Sequence, residues 1–284
     1  EFAQIFNRMG VKVTLVARAP RILRVQEPEV SAALRACFES EGIEVRTETN
    51  VLEVSQGSNG KQVRVSMPEG KHTLEAEEIL LATGVHGNVD DLGLEDVGVE
   101  VVDNDHIQVN EQLQTSIPHI YAAGDITGRK RLETVAAKEG KLAVENAFFN
   151  AGKSIDFGSI PYAVFTDPEV ASVGLTEAEY MAQYGTCSCR TIPMEMVPRA
   201  VAVKDTRGLL KMVAHHETGQ VMGVHILAPN ASEMIHEAVL AVKQALSVDD
   251  LIDTVHVFPT YSEAIKIAAQ AFRRDVSTMS CCVE

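Results

Sequence analysis

The sequence predicts an α/β chain that gives way to an α+β region, and three observations predict it. Helix, glycine and strand follow one another over residues 2–17. Two short apolar runs, at 78–82 and 119–123, are each followed within two residues by glycine. Past residue 160, strand patterns are interleaved with amphipathic stretches that carry helix-capping residues. At 284 residues, with 45% apolar and 23% charged side chains, the composition is globular and the length suits about two domains.

Phe2, Ile5, Phe6 and Met9 keep helical spacing, with no capping residue before them, and Gly10 ends the helix. VKVTLVAR then alternates as a strand near 11–17. Helix, glycine and parallel-type strand make the back half of a βαβ unit whose first strand and turn are missing. Glu1 stands where a natural start would carry Met, so the chain is expected to be a fragment of a longer protein. A helix is expected near 27–41, with short strands near 44–47, 50–55 and 62–67 and a hairpin turn at Asn59-Gly60. Glu78–Ala82 reads as a buried strand running into Thr83-Gly84, and His119–Ala123 as another, stopped by Gly124-Asp125. Residues 86–118 are turn-rich, a long helix covers 132–150, and 150–159 is a linker.

Beyond the linker, strands are expected in 162–166, 208–215 and 221–227, with three helical stretches. Thr176 and Glu179 form a capping box. Ile235, Val239, Val242 and Leu246 make one apolar stripe after a Ser232 cap, and Thr260 with Glu263 forms a second capping box before Ile265, Ala268, Ala269 and Phe272.

Charge and cysteine usage exclude several classes. Lys+Arg 25 against Asp+Glu 40 gives −15, which leaves no basic patch for nucleic acid. No apolar run reaches membrane-spanning length, and the N-terminus lacks the basic region of a signal peptide. Five cysteines, an odd and sparse count, argue against a secreted disulfide scaffold and for a reducing, cytoplasmic compartment.

The end of the first strand carries Val16-Ala17-Arg18, with Arg21 and Arg24 close behind. A dinucleotide fold that binds NAD usually places a carboxylate there for the ribose 2′-OH. Arginines suit the 2′-phosphate of NADP by bidentate pairing, though solvated surface arginines read the same way. The truncated βαβ unit favours NADPH. Gly84 and Gly124 each follow an apolar run, where glycine lets backbone approach a ligand, and Asp125 can accept a hydrogen bond from a ribityl hydroxyl.

Ala82-Thr83-Gly84, then Thr115 to Asp125 as T-x-x-x-x-x-Y-A-A-G-D, then LETVAAKEGKLAVENAF and IPYAVFTDPEVASVGLTEAE, resemble the pyridine nucleotide-disulfide oxidoreductases over nearly the whole chain. The resemblance implies a Rossmann-like NADPH-binding domain at 1–88, truncated at its N-terminus, and the second half of the FAD-binding region at 89–155. It implies an α+β interface domain at 156–284, and a homodimer with active sites shared between subunits. By the same resemblance Asp125 binds the ribityl chain. The helix opening at Glu133, Thr134, Val135 and Ala136 points its N-terminus, which favours negative charge, at the flavin ring. Arg18 and Arg24 match the 2′-phosphate arginines, and Glu1 matches the glutamate after the family's glycine-rich turn. Val85 departs from the arginine that many members carry after ATG. The family's redox CxxxxC pair and first FAD motif would lie upstream.

Disulfide-reducing members carry His-Pro-Thr-x-x-Glu near the C-terminus, with histidine as acid-base. Here the stretch is Phe258-Pro259-Thr260-Tyr261-Ser262-Glu263: Glu263 fits, but a phenyl ring moves no proton. His256, two residues upstream, lies about 6–7 Å away on an extended segment. The chain ends Ser280-Cys281-Cys282-Val283-Glu284, and two exposed thiols are good soft-metal ligands. A lost base with a terminal Cys-Cys resembles the mercuric reductase branch, in which tail thiols pass Hg(II) to a partner subunit for reduction to Hg(0). A large thioredoxin reductase is one alternative, and an inactive dimerisation or metal-binding fragment is another. Cys37 is expected in the core of an amphipathic helix, and Cys187 and Cys189 on a strand that happens to carry two thiols, with soft-metal binding as the alternative.

Overall fold

The computed structural model describes residues 1–58, 60–103 and 105–276. Asn59 of the expected hairpin turn, and the terminal Cys281 and Cys282, lie outside the described residues. The chain divides into two compact units, one of residues 1–79 with 161 onward, the other of residues 80–160.

The first unit opens with α1 (Phe2–Arg8), then β1 (Thr14–Val16), α2 (Pro28–Ser40) and β2 (Glu44–Arg46). β1 and β2 pair in parallel, Leu15 opposite Val45, as the βαβ reading requires. The apolar side of α1 is not its buried side: Phe2, Ile5, Phe6 and Met9 are exposed, and Gln4 is buried. The polar face docks instead, because Gln4, Asn7 and Arg8 find partners in Glu41 and Asp167. A meander follows, β3 (Asn50–Gly57), β4 (Gly60–Met67) and β5 (Gly70–Ala76), whose third strand the sequence reading missed.

The second unit contains α3 (Leu94–Val97), the two-residue pair β6 (Val101–Val102) and β7 (His106–Ile107), and the long α4 (Glu133–Phe149). Its core gathers Leu113, Leu142, Ala143 and Ile155, beside a second cluster of Val99, Ile107 and Ala122. Neither expected strand at its glycine motifs forms. Residues 78–82 pair with no strand among the described residues, and Leu80 and Leu81 are 59% and 78% exposed. Residues 119–123 keep one bridge, Gln114 to Tyr121, with Ala122 N–H bonded to Leu113 O. An apolar run needs a hydrogen-bonded neighbour to become a strand, and among the described residues neither run has one beyond the Gln114–Tyr121 bridge.

The first unit resumes with β8 (Tyr162–Val164), β9 (Glu169–Gly174), α5 (Glu177–Tyr184), β10 (Cys189–Pro193), α6 (Pro198–Val203), β11 (Leu209–Ala214), β12 (Val221–Ala228), α7 (Ala231–Lys243), α8 (Val248–Asp253) and α9 (Glu263–Gln270). The strands form one antiparallel sheet in the order β10-β11-β12-β9-β8, and β9 is a strand the sequence reading did not separate. The pleat sorts the sheet's residues by face. Ala171, Val173, Leu210, Met212, Val224 and Ile226 pack with Ile235, Ala238, Leu251 and Ile265 of the following helices. Val164, Val170 and Leu227 pack with Val30, Leu34 and Phe38 of α2.

Helix starts follow the capping rules in part. Thr176 and Glu179 complete the expected capping box. Asn230, not Ser232, precedes α7, and Ser232 gives its N–H and hydroxyl to Glu169. The second box is half formed: Glu263 accepts the Thr260 N–H, but the Thr260 hydroxyl turns to Val257 O, and α9 starts at Glu263 itself. Among the described residues no helix is long and apolar enough to cross a membrane.

Candidate functional site

Gly124 and Asp125 sit on a tight turn beside the first turn of α4. Gly124 has φ 83° and ψ −157°, where an L side chain is strained, and a Cβ there would lie 3.3 Å from Ala136 Cβ. The turn closes as the Thr127 N–H and hydroxyl both bond Gly124 O and the Gly128 N–H bonds Asp125 O. Asp125 remains exposed. α4 begins at Glu133 with no side-chain cap on its free N–H groups, so its positive dipole end is open beside the turn. Glu133 and Thr134 are exposed, whereas Val135 is buried. Gly84, with φ 107°, precedes Val85, whose carbonyl accepts from Arg131 at 3.4 Å, just ahead of α4.

One residue of this turn was not singled out from sequence. Glu139, on the second turn of α4 and 1% exposed, accepts the Gly124 N–H at 2.6 Å. Its other oxygen, Oε1, is buried with no partner. Burial pushes this carboxyl above the usual range, although the Gly124 bond works the other way. A contact fifteen residues apart leaves no local pattern in the sequence.

In the other unit, Arg18 and Arg24 project from the loop after β1 and are exposed. That loop is pinned to the edge of β2, with Ala17 N–H on Arg46 O at 2.8 Å and Thr49 N–H on Ala17 O at 3.0 Å. Arg21 plays a different part: it bonds Arg24 O and Gln26 O and holds the loop's shape. The Glu1 carboxylate accepts the Phe165 N–H at 2.7 Å, just past β8.

Phe258 is 49% exposed, between Val257 and a cis bond to Pro259. Nearby His256 is occupied: Nε2 lies 2.7 Å from Glu237 Oε1 and Nδ1 lies 3.0 Å from Thr254 O. Glu263 is engaged by the Thr260 N–H. The segment therefore presents an aromatic face and no free imidazole. Cys37 is half-buried on α2 rather than in the core, where Leu34 and Phe38 sit, and burial pushes its thiol up.

The comparisons with known proteins agree with this organisation. Residues 1–140 match the pyridine nucleotide-disulphide oxidoreductase family, and residues 160–269 match the dimerisation domain of the same family. A mercuric reductase of Streptomyces lividans is 40% identical over 282 residues, covering 99% of this chain and 59% of the relative. A mercuric reductase of Lysinibacillus sphaericus is 37% identical over the same length, covering 99% of this chain and 52% of the relative. The chain thus spans between about half and three fifths of the curated relatives it matches. Among solved structures, LpdA of Mycobacterium tuberculosis superposes with a TM-score of 0.84 at 31% identity, over 95% of this chain and 58% of that one. The flavoprotein disulfide reductase RclA of Escherichia coli gives 0.83 at 26% identity, over 95% of this chain and 61% of that one. With its two halves matched in order, the chain belongs to the pyridine nucleotide-disulphide oxidoreductase family.

Proposed function

We propose that this chain is the NADPH-binding, flavin-contacting and dimerisation portion of an enzyme that reduces Hg(II) to Hg(0). The observation that carries the reading is Phe258, at the place where a disulfide reductase needs a proton donor, with the neighbouring His256 already bound to Glu237. A thiol leaving group must be protonated, whereas a metal ion accepts electrons without one. The relatives named mercuric reductase, aligned over 282 residues, support the same choice of substrate.

The residues present fit the cofactors. Gly124 leaves no Cβ at the close approach to Ala136, and the uncapped N-terminus of α4 lies beside the exposed Asp125. That is a cradle for a polyhydroxylated chain and for a ring that gains negative charge. When bound, FAD would supply the two-electron relay and NADPH the electrons. Asp125 accepts from ribityl hydroxyls, and Glu139 holds the turn that presents it. Glu133, Thr134 and Val135 form the dipole end. Arg18 and Arg24 pair with the 2′-phosphate. Phe258 walls the metal site without exchanging a proton. Cys281 and Cys282 take Hg(II) from small thiols by thiolate exchange.

The test is NADPH oxidation by the longer protein, offered Hg(II)–thiol complexes, oxidised glutathione, oxidised lipoamide or oxidised thioredoxin. Turnover is expected with Hg(II) alone. It should collapse in the Cys281→Ala, Cys282→Ala double variant while flavin reduction by NADPH and the melting temperature stay near wild type. Comparable turnover of any disulfide would return the protein to the disulfide reductases.

A further inference from the structure

The antiparallel sheet carries a cluster of metal-ligating side chains that the reading above does not use. Cys189 opens β10, and Cys187 lies two residues before it, so both side chains leave the same side of an extended segment. Their sulfurs are 3.4 Å apart. Glu177, the first residue of α5, brings Oε1 to 2.6 Å from Cys187 Sγ. One atom from each of the three falls within 4.8 Å of every other, the one such grouping of His, Cys, Asp and Glu side chains among the described residues.

The cluster is held from behind. Glu177 Oε2 bonds the Lys211 ammonium at 2.6 Å, and the same ammonium reaches Glu27 at 3.0 Å and Glu29 at 2.9 Å. The Glu177 N–H bonds Glu27 Oε1. The carboxylate is thereby fixed with one oxygen turned to the thiols, as an outer partner orients a metal ligand. Cys187 is exposed and Cys189 half-buried, so a cation has a way in.

We propose that Cys187, Cys189 and Glu177 form a binding site for a thiophilic d10 divalent cation, of the zinc, cadmium and mercury kind. Two thiolates and one carboxylate, with a fourth position open to water or a small thiol, are the donor set such ions take. Zinc–sulfur bonds of about 2.3 Å in tetrahedral geometry put two sulfurs about 3.8 Å apart, close to the separation present. Each thiol releases its proton to solvent as the cation takes its place between the ligands. A disulfide between the two cysteines would use neither Glu177 nor its support. The site depends on nothing in the catalytic reading above and would exist in a protein that never reduced mercury.

The experiment is Cd(II) titration of the 284-residue chain carrying Cys281→Ser and Cys282→Ser, kept reduced with a phosphine. The thiolate-to-cadmium ultraviolet band and the melting temperature are followed together. One Cd(II) per chain is expected, with a rise in melting temperature as the ion selects the folded state. Cys187→Ser or Cys189→Ser should abolish both signals, Glu177→Gln should weaken binding about tenfold or more, and Cys37→Ser should change neither. Absence of uptake in the parent background, or uptake that survives the Cys187→Ser, Cys189→Ser double change, would overturn the proposal. Because Cys187 is exposed, a matched melting temperature of each metal-free variant separates loss of binding from loss of fold.

Discussion

Two residues decide more than their neighbours. In the function proposed above, Arg18 takes the place of the carboxylate that selects the unphosphorylated ribose, and a charge-assisted bond to a phosphate is worth roughly 1.5–3 kcal/mol. In the longer protein, Arg18→Glu is expected to lower the preference for NADPH over NADH about tenfold or more, read as the ratio of kcat/KM for the two nucleotides. Equal use of both by the unaltered enzyme would refute the assignment. Lys211 is the opposite kind of residue, a structural charge with 1% of its side chain exposed. Burial disfavours its ammonium, yet the bonds to Glu177, Glu29 and Glu27 outweigh that and hold the pKa above the usual value. Lys211→Met would leave Glu27, equally buried, without its cation. The expected loss is about 3–5 kcal/mol, measured by urea unfolding, and a loss under about 1 kcal/mol would mean that solvent reaches the pair. Nothing in GLLKMVAH marks this lysine, because its partners lie 34, 182 and 184 residues away. Arg18, Gly124, Asp125 and Phe258 could be picked out from the sequence because local motifs carry them. Glu139, Glu177 and Lys211 could not, because their contacts are made only by the fold.

At the scale of elements, what the periodicity revealed was existence, and what it concealed was facing. α1, α2, α4 and the strands at 209–214 and 221–228 stand close to where spacing put them. Yet α1 docks by Gln4, Asn7 and Arg8, and the apolar run at 78–82 is uncovered, since neither choice is made within its own segment. What ties α1 down is a charged network. Arg8 bridges Glu41 at the end of α2 and Asp167 between β8 and β9, each at 2.7 Å. Arg207 bonds Asp167 at 2.8 Å and Asp205 at 2.7 Å. The Arg8 bond holds the Glu41 carboxyl below its ordinary 4.5. Burial alone would raise Asp167, but Arg8 and Arg207 bring it below 3.8, and Arg207 lowers Asp205 likewise. Groups depressed in the folded state bind fewer protons there than in the unfolded chain near pH 4. Their contribution is therefore complete above about pH 5 and is lost as pH falls through the folded values. Between neutrality and about pH 5 this network leaves the melting temperature unchanged, and below that its loss lowers it, so the acid drop should be shallower in Glu41→Gln. A melting temperature unchanged down to pH 3 would show that the network contributes nothing, as many exposed pairs do.

For the whole molecule, the decisive feature is apolar surface that the chain leaves open. Between α8 and α9, Val255 and Val257 are 86% and 75% exposed, and Phe258 follows them. Three exposed apolar side chains on a segment fixed by Thr260, Glu263 and His256 are a poor end state for a chain in water. They lie inside the stretch that matches the family's dimerisation domain. A two-fold dimer buries the same patch twice, so a single change there counts double. We expect the 284-residue chain to sediment as a dimer at micromolar concentration. Val255→Asp with Val257→Asp should shift it to monomer while leaving the far-ultraviolet circular dichroism intact, because neither side chain supports the monomer's core. The same preparation should be colourless. In the proposed reading Asp125 and α4 supply only one side of a flavin cradle, and the chain covers 59% of the length of the relative from Streptomyces lividans. A wild-type monomer at tens of micromolar would remove the interface from this segment, and yellow protein purified without added FAD would mean that the Gly124 turn and α4 hold the flavin by themselves.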